Sequence, residues 1–118
     1  MASMAVDAGL KVHRALGPGL LESAYEHCLM HELCLRGAQV DRQVPLPITY
    51  EGIRLDAGYR LDLVIGRLVI VEIKTVEQLA PIYTAQFLTY LKLSGLRLGL
   101  LMNFNLPTFK AGLRRVVN

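Results

Sequence analysis

Residues 61–74 have the sequence LDLVIGRLVIVEIK, which predicts two apolar β-strands joined by a tight turn. Three charged side chains, Asp62, Glu72 and Lys74, interrupt the apolar pattern of the strands. Burying an unpaired carboxylate or ammonium group in a sheet costs several kcal/mol. We therefore expect the rest of the fold to be arranged around these three charges.

The register of this hairpin decides whether the three charges meet. Glu72 and Lys74 point to the same face, because side chains alternate along a strand. A two-residue turn would set Asp62 opposite Val71 and away from that face, whereas a loop one residue longer sets it opposite Glu72. We favour the longer loop, since Gly66 is a residue that permits it.

Two carboxylates and an amine on one face are suited to holding a divalent cation. Mg²⁺ is usually held by one or two acids, with water and substrate phosphates completing its shell. Such a cation polarises a phosphoryl oxygen and activates a water, while a lysine steadies the attacking water or the developing charge. The alternative is a buried salt bridge between Glu72 and Lys74 that closes the end of the strand.

Length and composition fit one domain spanning residues 1–118. Hydrophobic residues make up 53% of the chain, which favours self-association into a homo-oligomer. No apolar run reaches membrane-spanning length, and the N-terminus lacks the layout of a signal peptide. Cys28 and Cys34 fall on different faces of a predicted helix, so they cannot pair there. Two unpaired thiols predict a reducing, cytoplasmic location.

Charge is distributed unevenly along the chain. All 10 acids lie at or before Glu77 with 8 basic residues, whereas 5 basic residues and no acids follow Gln78. An acidic site beside a basic rim suits an anionic polymer held against a bound metal. A solubilising surface charge is the alternative explanation.

Two helices are predicted before the hairpin, at about residues 5–16 and 21–35, separated by Gly17-Pro18-Gly19. Glu22 lies in the first turn of the second helix, where a carboxylate also simply stabilises the helix dipole. His27 and His31 have the i, i+4 spacing of metal-binding imidazoles, but a solvated face is the favoured interpretation. The apolar stripe of the second helix is Leu21, Ala24, Tyr25, Cys28 and Leu29.

Residues 39–49 predict an edge strand, because Pro45 and Pro47 cannot donate to a central ladder. After the hairpin, Pro81 opens a third helix of about fifteen residues. We expect polar Gln86, in the middle of this helix's apolar stripe, to find a partner inside the protein. Strands at 96–104 and 113–117 follow. This order predicts an α/β fold, a mostly antiparallel sheet with helices on its faces that gains a strand after a crossing helix.

With these elements in place, the sequence resembles the GxxExxY family of small bacterial proteins. The family signature matches Gly19-Leu20-Leu21-Glu22-Ser23-Ala24-Tyr25. The resemblance continues through residues 42–46, 58–64, 71–74 and 99–104, and it covers roughly residues 13–117. That family is similar in turn to the PD-(D/E)XK nuclease superfamily, which implies a restriction-endonuclease-like αβββαβ core with a mixed sheet flanked by helices.

The resemblance also implies roles for individual residues. Asp62 stands for the aspartate of the motif, Glu72 for its second acid and Lys74 for its lysine. Glu22 stands where many members carry an additional acid. One departure is that Leu61, and not proline, precedes Asp62.

The segment Gln86-Phe87-Leu88-Thr89-Tyr90 matches the QxxxY element of RecB-like exonucleases. This match gives Gln86 and Tyr90 a place at the active site, and Gln86 would help to position it.

These observations predict a cytoplasmic, Mg²⁺- or Mn²⁺-dependent hydrolase that cleaves nucleic acid, DNA in the first instance. Asp62, Glu72 and Glu22 would bind the metal. The alternative is a non-catalytic module that keeps the nuclease fold for nucleic-acid binding or oligomeric assembly. Neither function involves a membrane.

Overall fold

Three helices and seven strands make up the chain, and the computed structural model describes residues 1–118. The helices are α1 (Ala2–Leu16), α2 (Glu22–Leu35) and α3 (Pro81–Ser94). The strands are β1 (Val40–Pro45), β2 (Ile48–Tyr50), β3 (Ile53–Leu55), β4 (Arg60–Ile65), β5 (Val69–Lys74), β6 (Leu98–Asn103) and β7 (Leu113–Val117). A short 3₁₀ turn, Lys110–Gly112, leads into β7. None of the helices has the length and apolar character needed to cross a membrane.

Five strands form one mixed sheet in the order β1-β4-β5-β6-β7. β5 and β6 are parallel and are connected through α3, whereas the other three neighbouring pairs are antiparallel. A parallel neighbour requires a crossover connection, which α3 supplies. The predicted fold class, an α/β mixed sheet flanked by helices, is confirmed.

The sheet separates two apolar clusters. α1 and α2 pack against one face of the sheet, which we call the helix-pair side. α3 packs against the other face, which we call the α3 side. α3 approaches β6 closely because Gly99 has no side chain, and a Cβ atom there would meet the Phe87 ring. The helix-pair cluster includes Tyr25, Leu29, Leu33, Leu63, Ile65, Val71 and Phe104, and the α3 cluster includes Leu61, Val64, Ile70, Phe87, Leu91 and Leu101.

The predicted edge strand at 39–49 is divided in the structure. β1 is an edge of the main sheet, as the two prolines indicated, but β2 leaves that sheet. β2 pairs only with β3, and the two form a separate two-stranded ribbon that turns at Glu51-Gly52. Tyr50, Ile53 and Leu55 of this ribbon are exposed.

Two predicted helix stripes are wrong in part. In α2, Leu21 and Cys28 are exposed, and the buried face is Tyr25, Glu26, Leu29 and Leu33. In α3, only Phe87 and Leu91 are fully buried. Gln86 is exposed and its side chain makes no hydrogen bond, so the expected internal partner does not exist.

Candidate active site

The loop of the β4–β5 hairpin sets the register on which the site depends. Gly66 and Arg67 both have positive φ, 58° and 59°, and Leu68 N donates to Ile65 O at 3.0 Å. Strand pairing nevertheless resumes at Val69, which is opposite Ile65, so Leu68 is the one extra residue. The longer loop that we favoured is confirmed, and it places Asp62 opposite Glu72.

At the open end of the hairpin, carboxylates replace the backbone ladder. The regular β4–β5 pairs end at Leu63 and Val71. Asp62 N donates to Glu72 Oε1 at 3.0 Å, and Ile73 N donates to Asp62 Oδ2 at 2.8 Å. Two backbone donors that the ladder would otherwise satisfy are thus satisfied by the two acids. We call Asp62 and Glu72 the carboxylate pair.

β4, which carries Asp62, and its neighbour β1 are both kinked at the level of the carboxylate pair. Leu61 packs on the α3 side and Leu63 on the helix-pair side, although residues two apart on a strand should share a face. In β1, Val40 packs on the helix-pair side and Val44 on the α3 side. Gln43 lies between them with φ 54°, a conformation that non-glycine residues rarely adopt. The kinks lie next to the pair and turn the side chains at this level out of regular alternation.

Gln43 connects the pair to α2. Its Nε2 atom donates to both carboxylate oxygens of Glu26, at 3.0 Å each, and lies 3.5 Å from Asp62 Oδ1. Glu26 is only 6% exposed, and Arg42 Nη1 also donates to it at 3.2 Å. The side chain of Gln43 is therefore held by a buried acid and directed towards Asp62.

Sequence reasoning assigned no role to Glu26 or Gln43. The sequence does contain a signal that Glu26 points inward. Glu26 lies three residues before Leu29 and seven before Leu33, so it shares their inward face of the helix. No comparable signal exists for Gln43, since a polar residue on an edge strand ordinarily faces water.

The carboxylate pair has a raised affinity for protons. Burial, and then the negative charge of Asp62, raise the pKa of Glu72 to about 8. Burial also raises the pKa of Asp62, and the charges of Glu26 and Glu22 act in the same direction. Lys74 lowers both pKa values without cancelling the other effects. Two partly buried acids with this much unbalanced negative charge attract a cation.

Lys74 lies at the end of β5, two residues beyond Glu72. Its Nζ atom is 5.1 Å from the centre of the Tyr83 ring on α3, a cation–π contact that limits where the amine can move. Its carbonyl oxygen accepts a hydrogen bond from Phe104 N at 3.0 Å, which fixes the end of the strand. The amine therefore lies against α3, on the face of β5 that Glu72 shares, and Lys74 remains partly accessible to solvent.

The donor atoms fit a divalent cation. Glu72 Oε2 accepts no hydrogen bond, and Asp62 Oδ1 accepts only the long one from Gln43. One oxygen of each acid is thus free to act as a hard ligand. No cluster of three or more His, Cys, Asp or Glu side chains is close enough to enclose an ion. Two carboxylates suffice for Mg²⁺, which retains several waters.

Glu22 lies outside the carboxylate pair, as the exposed first residue of α2. The expected three-acid ligand set of Asp62, Glu72 and Glu22 is therefore not assembled. Tyr25 fixes the loop before this helix: its hydroxyl donates to Gly17 O at 2.6 Å and accepts from Leu20 N at 3.1 Å. The Tyr25 ring also stacks on Phe104, with 4.6 Å between ring centres. The signature segment 19–25 thus holds Glu22 at a fixed helix start.

The QxxxY segment lies on α3, where Tyr90 is half-buried. Burial, and then the charge of Glu72, raise the pKa of Tyr90. Gln86 is exposed, and it lines a small cavity together with Tyr59 and Tyr90. Both ends of the QxxxY segment therefore line this cavity, although Gln86, which we expected to be buried, is on the surface.

The histidines lie elsewhere. His27 and His31 are exposed on α2 and belong to no metal-binding cluster, in agreement with a solvated face. His13 is a core residue: its Nε2 atom is 2.8 Å from Leu106 O, and its ring is 6.3 Å from the rings of both Phe104 and Phe109.

Of the five basic residues after Gln78, Arg97 and Arg114 can be located relative to the carboxylate pair from the strand pairing. Arg97 precedes Leu98, which pairs with Val69, three residues along β5 from Glu72. Arg114 is on the same row as Glu72 but two strands away, and its guanidinium donates to Ala111 O and Leu113 O. These two residues therefore lie away from the pair, and the basic rim expected from the charge distribution stays a prediction.

One comparison with known proteins identifies a family for this chain. A family model described as the PD-(D/E)XK nuclease superfamily matches residues 1–116. No curated protein and no solved structure matches the chain. The narrower assignment to the GxxExxY family remains a prediction, compatible with that match. Since the match covers nearly the whole chain, this protein belongs to the PD-(D/E)XK nuclease superfamily.

Proposed function

We propose that this protein is a metal-dependent nuclease that hydrolyses phosphodiester bonds in nucleic acid, with DNA as the first substrate to test. The observation that carries the proposal is the carboxylate pair: Asp62 and Glu72 face each other where the β4–β5 ladder ends, and each keeps one oxygen free. Membership of the nuclease superfamily supports the same chemistry.

Asp62 and Glu72 would hold Mg²⁺ or Mn²⁺ through their free oxygens. The bound ion would supply charge stabilisation to the phosphoryl group and lower the pKa of a nearby water. Gln43 would keep Asp62 oriented, because its amide is fixed by Glu26. Glu22, exposed at the start of α2, would act on the pair from a distance, through water.

Lys74 would orient the attacking water and stabilise the charge that develops on the phosphate. Lys74 shares a face of β5 with Glu72, and its cation–π contact with Tyr83 restrains the amine. Tyr90 and Gln86 on α3 would border the bound substrate. Catalytic contributions are thus proposed for Glu22, Asp62, Glu72, Lys74, Gln86 and Tyr90.

The test compares cleavage of single- and double-stranded DNA and RNA by the wild type and by Lys74→Ala, with Mg²⁺ or Mn²⁺. Removing one preorganised charge lowers such rates by about 100- to 1000-fold. Lys92→Ala is the matched control, because Lys92 is an exposed lysine in the last turn of α3. Equal cleavage by the wild type and Lys74→Ala would identify a contaminating nuclease and reject the proposal.

Assembly is a second candidate function, favoured by the β2–β3 ribbon. A two-stranded ribbon is marginal alone in water, and this one exposes Tyr50, Ile53 and Leu55. A second copy of the chain would cover these side chains. Light scattering should then find a dimer or larger species for the wild type and a monomer for Ile53→Asp, whereas a monomeric wild type rejects the assembly.

A further inference from the structure

A small cavity lies beside α3, next to the segment that leads into β4. It has a volume of about 210 Å³ and is lined by Ile48, Tyr59, Gln86, Thr89, Tyr90 and Leu93. We call it the Tyr59 cavity. Tyr59 is three residues before Asp62, and Glu72 points to the α3 side because Val71 and Ile73 on either side of it belong to the helix-pair cluster. The charges of Glu72 and Asp62 also contribute, after burial, to raising the pKa of Tyr90.

Tyr59 presents an accessible aromatic surface on a fixed backbone. Leu46 N donates to Tyr59 O at 2.9 Å, and the next residue, Arg60, pairs with Pro45 across the β1–β4 ladder. The Tyr59 ring is 42% exposed, with its centre 6.1 Å from that of Tyr90 and its plane tilted by 58°. That angle leaves no parallel slot between the two rings, so a planar ligand would stack on the open face of Tyr59.

The polar groups at the cavity mouth suit a nucleotide. The Gln86 amide makes no hydrogen bond within the protein, whereas the Thr89 hydroxyl already donates to Ala85 O at 3.1 Å. An amide offers both a donor and an acceptor to the edge of a base.

We propose that the Tyr59 cavity binds one unpaired nucleobase, stacked on Tyr59 with its edge at Gln86, while the neighbouring phosphate lies at the carboxylate pair. The proposal rests on the proposed nuclease function and names its substrate class as single-stranded or locally unpaired nucleic acid. A base inside a duplex is stacked on both faces and cannot also stack on a side chain, whereas an unpaired base can. Stacking on one ring tolerates any base, so little sequence preference is expected.

Fluorescence anisotropy with a labelled thymidine oligonucleotide of about 12 nucleotides tests the proposal. All proteins carry Lys74→Ala and are measured with Ca²⁺, so that binding is observed without cleavage. Adding Tyr59→Ala should weaken binding by about 5- to 150-fold. Tyr59→Phe keeps the ring and should bind as the Lys74→Ala protein does. Leu68→Ala, which removes an exposed apolar side chain from the loop at the other end of the β4–β5 hairpin, is the control and should leave binding unchanged.

A second probe tests whether a nucleobase is the group that stacks on Tyr59. An oligonucleotide of the same length that lacks its bases should bind the Lys74→Ala protein as weakly as the intact one binds after Tyr59→Ala. Equal affinity for the intact and base-free probes, unchanged binding after Tyr59→Ala, or no binding of the single strand at all would each overturn the proposal. A loss of self-association after Tyr59→Ala, with binding unchanged, would assign the cavity to a second copy instead.

The two proposals fail in different ways. Absence of metal-dependent cleavage by the wild type rejects the nuclease, even where Tyr59-dependent binding of single strands persists. Cleavage that depends on Lys74 but does not differ between the wild type and Tyr59→Ala on single strands rejects the base site alone.

Discussion

The two halves of the β4–β5 hairpin have opposite properties. In the half near the turn, three regular pairs join Leu63–Ile65 with Val69–Val71, and all six side chains are buried and apolar. In the open half, the ladder is absent, and Asp62 and Glu72 accept hydrogen bonds from the backbone donors. Regular pairing stabilises the first half, while the interruption of the ladder brings the two carboxylates of the second half together.

The difference has a physical cause. A continued ladder would satisfy the backbone of Asp62 and Ile73 without using side chains, and no carboxylate would be needed there. The kinks at Gln43 and Asp62 prevent this, and they place two like charges in a partly buried site. Such an arrangement lowers the stability of the protein unless a cation binds, which is a common property of functional sites.

The largest effect on stability is expected in the regular half. Leu63→Ala removes a fully buried side chain from the helix-pair cluster and should lower the free energy of unfolding by about 2–5 kcal/mol. Leu68→Ala, at the exposed extra residue of the loop, should change it by less than about 0.5 kcal/mol. Urea unfolding followed by circular dichroism measures both. Equal effects of the two substitutions would contradict the division between the halves.

In the open half of the hairpin, the expected effect concerns how the free energy of unfolding depends on pH. The pKa of Glu72 is raised from 4.5 to about 8, so the folded state binds more protons than the unfolded state between these values. The free energy of unfolding should therefore fall as the pH rises from about 5 to 8 in the absence of divalent metal, by on the order of a few kcal/mol.

Glu72→Gln should flatten this dependence and make the variant more stable than the wild type at about pH 8. Glu51→Gln, at the exposed turn of the β2–β3 ribbon, is the control and should keep the wild-type dependence. Urea midpoints at several pH values provide the measurement. A wild type whose stability rises over this range would show that Glu72 is ionised in the folded protein.

A smaller effect is expected at Gln43, whose positive φ favours glycine. Gln43→Gly and Gln43→Ala both remove the amide that contacts Glu26 and Asp62, but only glycine relieves the backbone strain. Gln43→Gly should therefore be more stable than Gln43→Ala by about 1 kcal/mol, while both lose cleavage activity relative to the wild type. Wild-type cleavage rates in both variants would remove Gln43 from the site.

Much of the regular half could be predicted from the sequence. Continuous apolar strands, Pro81 at a helix start and Gly95 at its end are local signals, and the structure has the corresponding elements. The register of Asp62 followed from asking why a sheet interior contains charges, and the loop at Gly66 provides that register. These inferences needed only alternation along a strand and the cost of burying ions.

The features that could not be predicted depend on contacts between residues that are far apart in the sequence. The positive φ of Gln43 is supported by Glu26, 17 residues earlier, and no local propensity encodes it. α3 is apolar on several faces, since Ile82 is 66% exposed, so spacing alone could not show that Phe87 and Leu91, and not Gln86, point inward. The ribbon formed by β2 and β3 was missed because its strands have only three residues each.

Calorimetric titration of the metal-free protein with Mg²⁺ or Mn²⁺ tests the central claim most directly. Near neutral pH, binding should be detectable at millimolar metal and should release protons, because the cation displaces the proton held by Glu72. Titrations in two buffers of different ionisation enthalpy measure that release, and Asp62→Asn should abolish binding. No binding by the wild type at millimolar metal, or equal binding by Asp62→Asn, would contradict the account.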